Sequence, residues 1–335
     1  MSQSTTRIAL DAMGGDHAPA VVIEGAVMAA RELGVEVVLV GRSDEIKAEL
    51  SRHDSSGLSL SVVHAEEVVE MGEHASDALR RKRQSSIAVG IGLVKQGQAS
   101  AFVSAGNSGA VMAGALFGLG RIHGIERPAI GSVFPTTTGK CFLLDIGANA
   151  DCKPEYLVQF AQMGSAYMER VFGVSNPRVG LLSNGEEETK GNQLVQSAYP
   201  LMKAAPINFI GNIEGKDVSQ DAADVVVCDG FTGNVLLKAS EGAVTSLLDI
   251  LKAELSSSLV NKLAAAVLKP AFRRVKKHLD YAEFGGAPLL GVNGVVIIAH
   301  GRSNAVAIKN AVRVARQAVD HKLVETIAGS LAVTR

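Results

Sequence analysis

The chain has no tryptophan, 4% aromatic residues and three cysteines. So few rings exclude a core organised by aromatic packing and leave Val, Ile, Leu and Ala to fill it. Cys141, Cys152 and Cys228 are odd in number and form no closely spaced pair. They fit neither a disulfide framework nor a zinc pattern, as in a reducing cytosol. The eight histidines make no HExxH and no other ligand cluster, so no metal is expected. A GxSxG elbow is absent, which removes support for a serine hydrolase. Net charge is only −1, giving no global attraction to nucleic acid or membrane. No run reads as the roughly 20 continuously apolar residues of a transmembrane helix. A strand pattern starts at residue 7, leaving no room for a signal peptide. The expectation is a cytoplasmic protein.

Glycine is plentiful, at 35 residues, and the 47% apolar and 20% charged fractions suit a soluble globular chain. Apolar runs at 7–10, 35–40, 58–64, 101–103, 129–134, 141–144, 179–182, 207–211, 225–228 and 294–299 read as strands. Helical stretches fall between them, at 21–33, 44–50, 87–96 and 110–119, and after 234 and 304. Segment 66–86 is polar and charged, and contains Arg80-Arg81-Lys82-Arg83. Alternating strands and helices imply an α/β fold: a three-layer αβα sandwich on a mainly parallel sheet. With no fixed-period repeat and no long linker, residues 1–335 read as a single α/β catalytic domain.

Five strand ends carry glycine beside Asp, Asn, Ser or Thr just before a helix. They follow Leu10, Val103, Leu144, Leu182 and Cys228. Glycine lets a backbone approach a ligand, and free amides at a helix start favour anions. Any α/β protein needs one such turn; five together point to a shared polar site. Ser104-Ala-Gly106-Asn107-Ser108-Gly109 is the best phosphate cradle among them, and it lacks a GxGxxG dinucleotide fingerprint. Thr137-Thr138-Gly139-Lys140 matches only the end of a P-loop. Its first glycine would fall on Phe134 and a strand follows, so no nucleotide site and no cofactor are expected. Lys190 stands beside Glu186-Glu187-Glu188, either as part of a solvated charge run or as a cation aimed at an anionic substrate.

An amphipathic helical hairpin is expected at about 246–285. Leu259, Val260, Leu263, Val267 and Leu268 recur at helical spacing, and Lys262, Lys269, Arg273, Arg274, Lys276 and Lys277 form a basic rim. Such a stripe suits an anionic membrane or an acidic protein; equally it can be a hairpin with its apolar face in a core or dimer interface.

At these loops the chain resembles the bacterial phosphate acyltransferase family of phospholipid synthesis, PlsX. The resemblance rests on Asp11-Ala-Met-Gly14-Gly15-Asp16-His17-Ala-Pro19, Ser104 to Gly109, and Asp145-Ile-Gly-Ala-Asn149-Ala-Asp151-Cys-Lys153-Pro-Glu155. It continues through Lys190-Gly-Asn192 and Asp229-Gly-Phe-Thr-Gly-Asn234, and runs from Arg7 to about Val312. Ser108 stands where threonine is frequent in the family. The resemblance implies an isocitrate/isopropylmalate dehydrogenase-like fold and a homodimer. It also implies transfer of an acyl group from acyl carrier protein to inorganic phosphate, and peripheral membrane association. The acyl phosphate would feed a downstream glycerol-3-phosphate acyltransferase; no nucleic acid is involved.

On this reading the substrate- and phosphate-binding residues are Asp11, Gly14, Gly15, Asp16, His17, Gly106, Asn107, Ser108, Gly109, Asp145, Lys153 and Asn192. Lys190 supplies the counter-charge, Asn149 and Asn234 stabilise the oxyanion, and Asp229, like Asp145, orients its loop. Arg273, Arg274, Lys276 and Lys277 would meet the membrane or the acidic carrier protein, for which Arg80 to Arg83 are a second docking patch. A phosphotransacetylase-type enzyme acting on acyl-CoA, a dehydrogenase of the same fold and a non-catalytic membrane scaffold are the alternatives.

Overall fold

Residues 6–279 and 285–332 are described by a computed structural model. Among them, eleven strands are β1 (Arg7–Asp11), β2 (Glu36–Gly41), β3 (Leu60–His64), β4 (Ala101–Ser104), β5 (Ala129–Pro135), β6 (Lys140–Leu144), β7 (Arg178–Ser183), β8 (Asn208–Glu214), β9 (Val225–Val227), β10 (Ala287–Leu290) and β11 (Val295–Ile298). The helices are α1 (Ala20–Leu33), α2 (Ser43–Leu50), α3 (Ala75–Arg81), α4 (Ser86–Lys95), α5 (Ser108–Gly118), α6 (Pro154–Phe172), α7 (Gln193–Ala204), α8 (Gly230–Leu255), α9 (Leu259–Leu279), α10 (Ala305–Asp320) and α11 (Leu323–Ala332).

Successive strand residues face opposite sides of a sheet, and here that alternation sorts the core. Ile8 and Leu10 of β1 join a cluster with α1, α6, α10 and α11, whereas Ala9 between them joins one with α4 and α5. Likewise Phe142 and Leu144 of β6 point to the first cluster, and Cys141 and Leu143 to a third beneath α8. Both faces of the sheet are therefore covered, which gives the three expected layers. Gly25 of α1 sits so close to α10 that a Cβ would lie 2.6 Å from Ile308 Cβ. A side chain there would push the two helices apart.

The strand order is β3-β2-β1-β4-β11-β10-β5-β6-β9-β7-β8. β1 to β4 and β11 pair in parallel, as do β6, β9, β7 and β8. Three antiparallel pairings, β11–β10, β10–β5 and β5–β6, join the two sets and reverse the direction. The carboxyl ends of β4 and β7 thus leave formally opposite edges, six strand steps apart. Strands twist by roughly 20–25° per step, so six steps turn β7 through on the order of 130° relative to β4. Twist therefore turns the two sets of strands toward a common direction.

The sequence reading differs in two places. Segment 66–86 contains a short helix, α3, held by a Glu73–Lys82 ion pair at 2.6 Å. β10 was not expected, and its hairpin with β11 adds two of the antiparallel pairings. The Thr137 to Lys140 stretch is the β5–β6 turn, closed by Gly139 N–H donating to Thr136 Oγ1 at 3.0 Å. The hairpin of α8 and α9 is present, and its apolar side chains are exposed, Leu259, Val260 and Val267 by 75, 74 and 79%. No helix among the described residues is long and apolar enough to cross a membrane.

Asp221 clamps the β5–β6 turn. It accepts hydrogen bonds from the Thr136, Thr137 and Thr138 hydroxyls and from Thr138 N–H. These hold its carboxyl at about 2, below the ordinary value of 3.8. A depressed carboxylate adds stability above its unfolded value and loses it as pH falls through the folded one. Asp221→Asn should therefore lower the thermal midpoint at pH 5 to 7. The two proteins should converge as pH drops from about 4 to about 2, as thermal melts at stepped pH would measure.

Candidate active site

The polar loops form two clusters. In the first, the buried Asp11 carboxylate at the end of β1 accepts from Ser104 Oγ at 2.7 Å and from Met13 N–H at 3.1 Å. Ser104 Oγ in turn accepts from Gly106 N–H at 3.0 Å. Burial pushes the Asp11 carboxyl up, against hydrogen bonds from Ser86, Ser104, Met13 and Gly14. Gly14 is required by space: a Cβ there would lie 2.5 Å from Asp11 Oδ2 and 2.6 Å from Gly106 N. Gly15 takes φ +108°, a glycine conformation, and its neighbour Asp16 donates its N–H to Gly301 O at 2.8 Å. His300, between β11 and α10, accepts from Arg302 N–H at Nδ1, and burial lowers its pKa.

Asn107 lies at the centre of this cluster but its side chain is committed. Oδ1 caps α5 by accepting from Ala110 N–H, and Nδ2 donates to the carbonyls of Glu70, Met71 and Glu73. It ties the 70–73 segment to the loop, so no side-chain donor remains for phosphate. The cradle is left with the α5 amides and the exposed hydroxyl of Ser108, beside Gly109. Asp16 and His17 are exposed on the same rim.

The second cluster is built on Asp145. Its buried carboxylate accepts from the N–H groups of Ile130, Gly147, Ala148 and Asn149 and from Asn149 Nδ2. Asn149 Nδ2 also donates to Pro128 O at 2.8 Å, so both amide hydrogens are engaged. It therefore braces the loop and offers no side-chain donor to an oxyanion, a correction to the expected role. Asn234 donates one N–H to Ile146 O at 3.0 Å and keeps the other. Asp229 caps α8, accepting from Thr232 N–H and Thr232 Oγ1 at 2.8 Å each. Asn192 caps α7 through Oδ1.

Lys190 is exposed and makes no ion pair with a described residue, while Glu188 pairs with Lys203. The acidic run does not neutralise it. Its loop is fixed at Glu187 O, which accepts from Lys190 N–H and from Asn212 Nδ2. Lys153, just before α6, is also exposed. A pocket of about 370 Å3 opens here, lined in part by Leu157, Asn184, Leu194 and Thr232. Sequence reasoning passed over its apolar lining because a leucine on a helix looks like core.

α8 joins the clusters. It starts at Gly230 and, some two to three turns on, Lys238 and Glu241 act on the charge of His300 in the first cluster. No hydrogen bond between described residues links Lys190 to residues 106–109. The cysteines are unfit as nucleophiles: burial holds Cys152 and Cys141 at about 12, and pushes Cys228 up as well.

Solved structures share the fold. A phosphotransacetylase from Streptococcus pyogenes superposes with a TM-score of 0.60 at 16% identity, covering 99% of this chain and 95% of its own. A 4-hydroxythreonine-4-phosphate dehydrogenase from Klebsiella pneumoniae reaches 0.54 at 14% identity, covering 95% and 98%. At such identities the likeness defines the fold alone: an α/β scaffold common to acyl-transferring enzymes and dehydrogenases. Sequence decides between them. A family model described as "Fatty acid synthesis protein" matches residues 6–326. "Phosphate acyltransferase" of Pelotomaculum thermopropionicum is 54% identical over 325 residues, 97% of this chain and 95% of its own. That of Heliobacterium modesticaldum is 55% identical over 322 residues, 96% of each. The chain belongs to this PlsX family of phosphate acyltransferases and is an acyltransferase.

Gly233 tests how tightly the second cluster is packed. Alanine is the better helix former by about 1 kcal/mol, but a Cβ at 233 would lie 1.9 Å from Asp145 O. Displacing that backbone costs about 1–3 kcal/mol. Gly233→Ala should therefore be net destabilising, read as a lower urea midpoint.

Proposed function

We propose that the chain transfers a long-chain fatty acyl group, reversibly, from acyl carrier protein to inorganic phosphate. Acyl phosphate for glycerol-3-phosphate acylation is the product. The observation that carries the reading is the pair of glycine- and Asn/Asp-rich clusters, one at the start of α8 and the other within reach of the charges of Lys238 and Glu241 further along it, in a chain with no activated thiol. A phosphate oxygen attacks the thioester carbonyl carbon, the C–S bond breaks, and the thiolate leaves and is protonated from phosphate or water. Phosphate is a nucleophile at neutral pH, so the protein need only desolvate, part-neutralise and aim it. The α5 amides and Ser108 at the first cluster hold its oxygens, and Lys190 offsets its charge. The second amide hydrogen of Asn234 serves the oxyanion. Asp145 and Asp229, which accept bonds from their own loops, orient those loops.

The carrier protein is read as acidic, and exposed Arg80, Arg81 and Arg83 suit it; Lys82 is spent on Glu73 and Val68 O. Arg273 and Arg274 are exposed beside the apolar stripe of α9, while the side chains of Lys276 and Lys277 and the hairpin end at 280–284 lie outside the described residues. The stripe supports peripheral attachment of a cytoplasmic homodimer to a membrane, near the downstream acyltransferase.

Thiol release from palmitoyl-carrier protein tests the reaction. Release that depends on phosphate is expected, with little from palmitoyl-CoA; preference for CoA would move the reading to a phosphotransacetylase. Lys190→Ala should lower kcat/KM at least a hundredfold, on the order of 3 kcal/mol of transition-state stabilisation, with an unchanged melting temperature. Arg273, Arg274, Lys276 and Lys277 changed together to Gln should weaken liposome binding and leave turnover alone. A raised KM for the carrier protein would instead make this its docking patch.

A further inference from the structure

We propose that the pocket bounded by the end of β7, the first turn of α7 and the start of α8 receives the alkyl chain of the acyl substrate. Leu157 and Leu194 there set the preferred chain length. The proposal rests on the acyl-transfer reading and specifies where its chain goes.

The pocket is graded in polarity. Leu157, Leu182, Val195 and Cys228 line it and are at most 8% exposed, whereas Asn184 and Asn192 are exposed and Ser183, Asp229 and Thr232 half-buried. The space is therefore apolar at depth and polar at its mouth. An ion or a sugar seated at depth would face a wall without hydrogen-bond partners, which is unfavourable. A hydrocarbon chain meets no such penalty and leaves its carbonyl at the mouth, beside Asn184, Asn192 and the start of α8. Cys228 adds only a small apolar surface, its thiol turned onto Asp145 O at 3.5 Å.

Size gives the limit. The pocket holds about 370 Å3. At roughly 30 Å3 per heavy atom, the share of a water in the liquid, that is on the order of a dozen chain atoms. Burying one methylene is worth about fourfold in an equilibrium constant. Preference should therefore climb with each carbon until the pocket is full and then level off.

The test is kcat/KM of the full-length enzyme at saturating phosphate, with carrier proteins bearing saturated chains from four to eighteen carbons. The expected series rises by up to about fourfold per methylene and flattens near ten to twelve carbons, roughly the pocket's capacity. Leu194, half-buried on the first turn of α7, is the place to change the volume. Leu194→Trp should move the plateau to shorter chains and lower the long-to-short ratio about tenfold, roughly two methylenes' worth. Leu194→Ala should move it to longer chains, and it carries the test if the tryptophan variant does not fold. A flat series, or a plateau that Leu194→Ala leaves in place, overturns the pocket assignment while the acyl-transfer reading stands. Absence of phosphate-dependent release with every chain overturns that reading and the pocket with it.

Discussion

Five donors converge on the buried carboxylate of Asp145, and the second half of the site depends on that convergence. One donor, Ile130 N–H, belongs to β5; the other four belong to the loop that Asp145 itself begins. Gly230 packs against this carboxylate and Gly233 against the Asp145 carbonyl, closely enough that a Cβ on either would fall within 3 Å of Asp145 atoms. A buried carboxylate is tolerated only when its oxygens are matched by donors. Asp145 meets that condition by fixing the sheet, the loop and the first turn of α8 in one arrangement.

The first cluster uses the same device with other parts. Asp11 is also a buried aspartate at a strand end, and it too gathers its own loop and a neighbouring strand, through Ser104. Each half of the sheet thus has an acid at its hub and glycines where the backbone must come close. What differs is the cation. Lys190, with no ion pair among the described residues, stands in the second half, and the first half presents the imidazole of His300 and the start of α5.

Much of this was legible in the chain. Central strands buried on both faces leave near-continuous apolar runs, so β1, β2, β4, β6, β7 and β9 announce themselves. The loops were legible because glycine beside Asn or Asp is hard to place elsewhere. The reversal of direction through β10 was not, since Ala287–Leu290 is four residues long and includes Pro288. Pairing direction is decided by tertiary neighbours rather than by composition. Asn107 shows a second limit. In sequence it reads as a ligand donor, yet its amide is bound by carbonyls 34 to 37 residues away, across a charged segment that gives no local sign of docking.

α8 runs unbroken for 26 residues, from the Asp145 hub to the exposed hairpin. At 1.5 Å per residue it is a rod of roughly 39 Å. A rod clamped at one end is a lever: one degree of tilt at Gly233 displaces the far end by about 0.6 Å. The snugness of a single glycine against a single carbonyl therefore sets how far the apolar tip can sway. A load borne by that tip is felt as torque at the Asp145 hub.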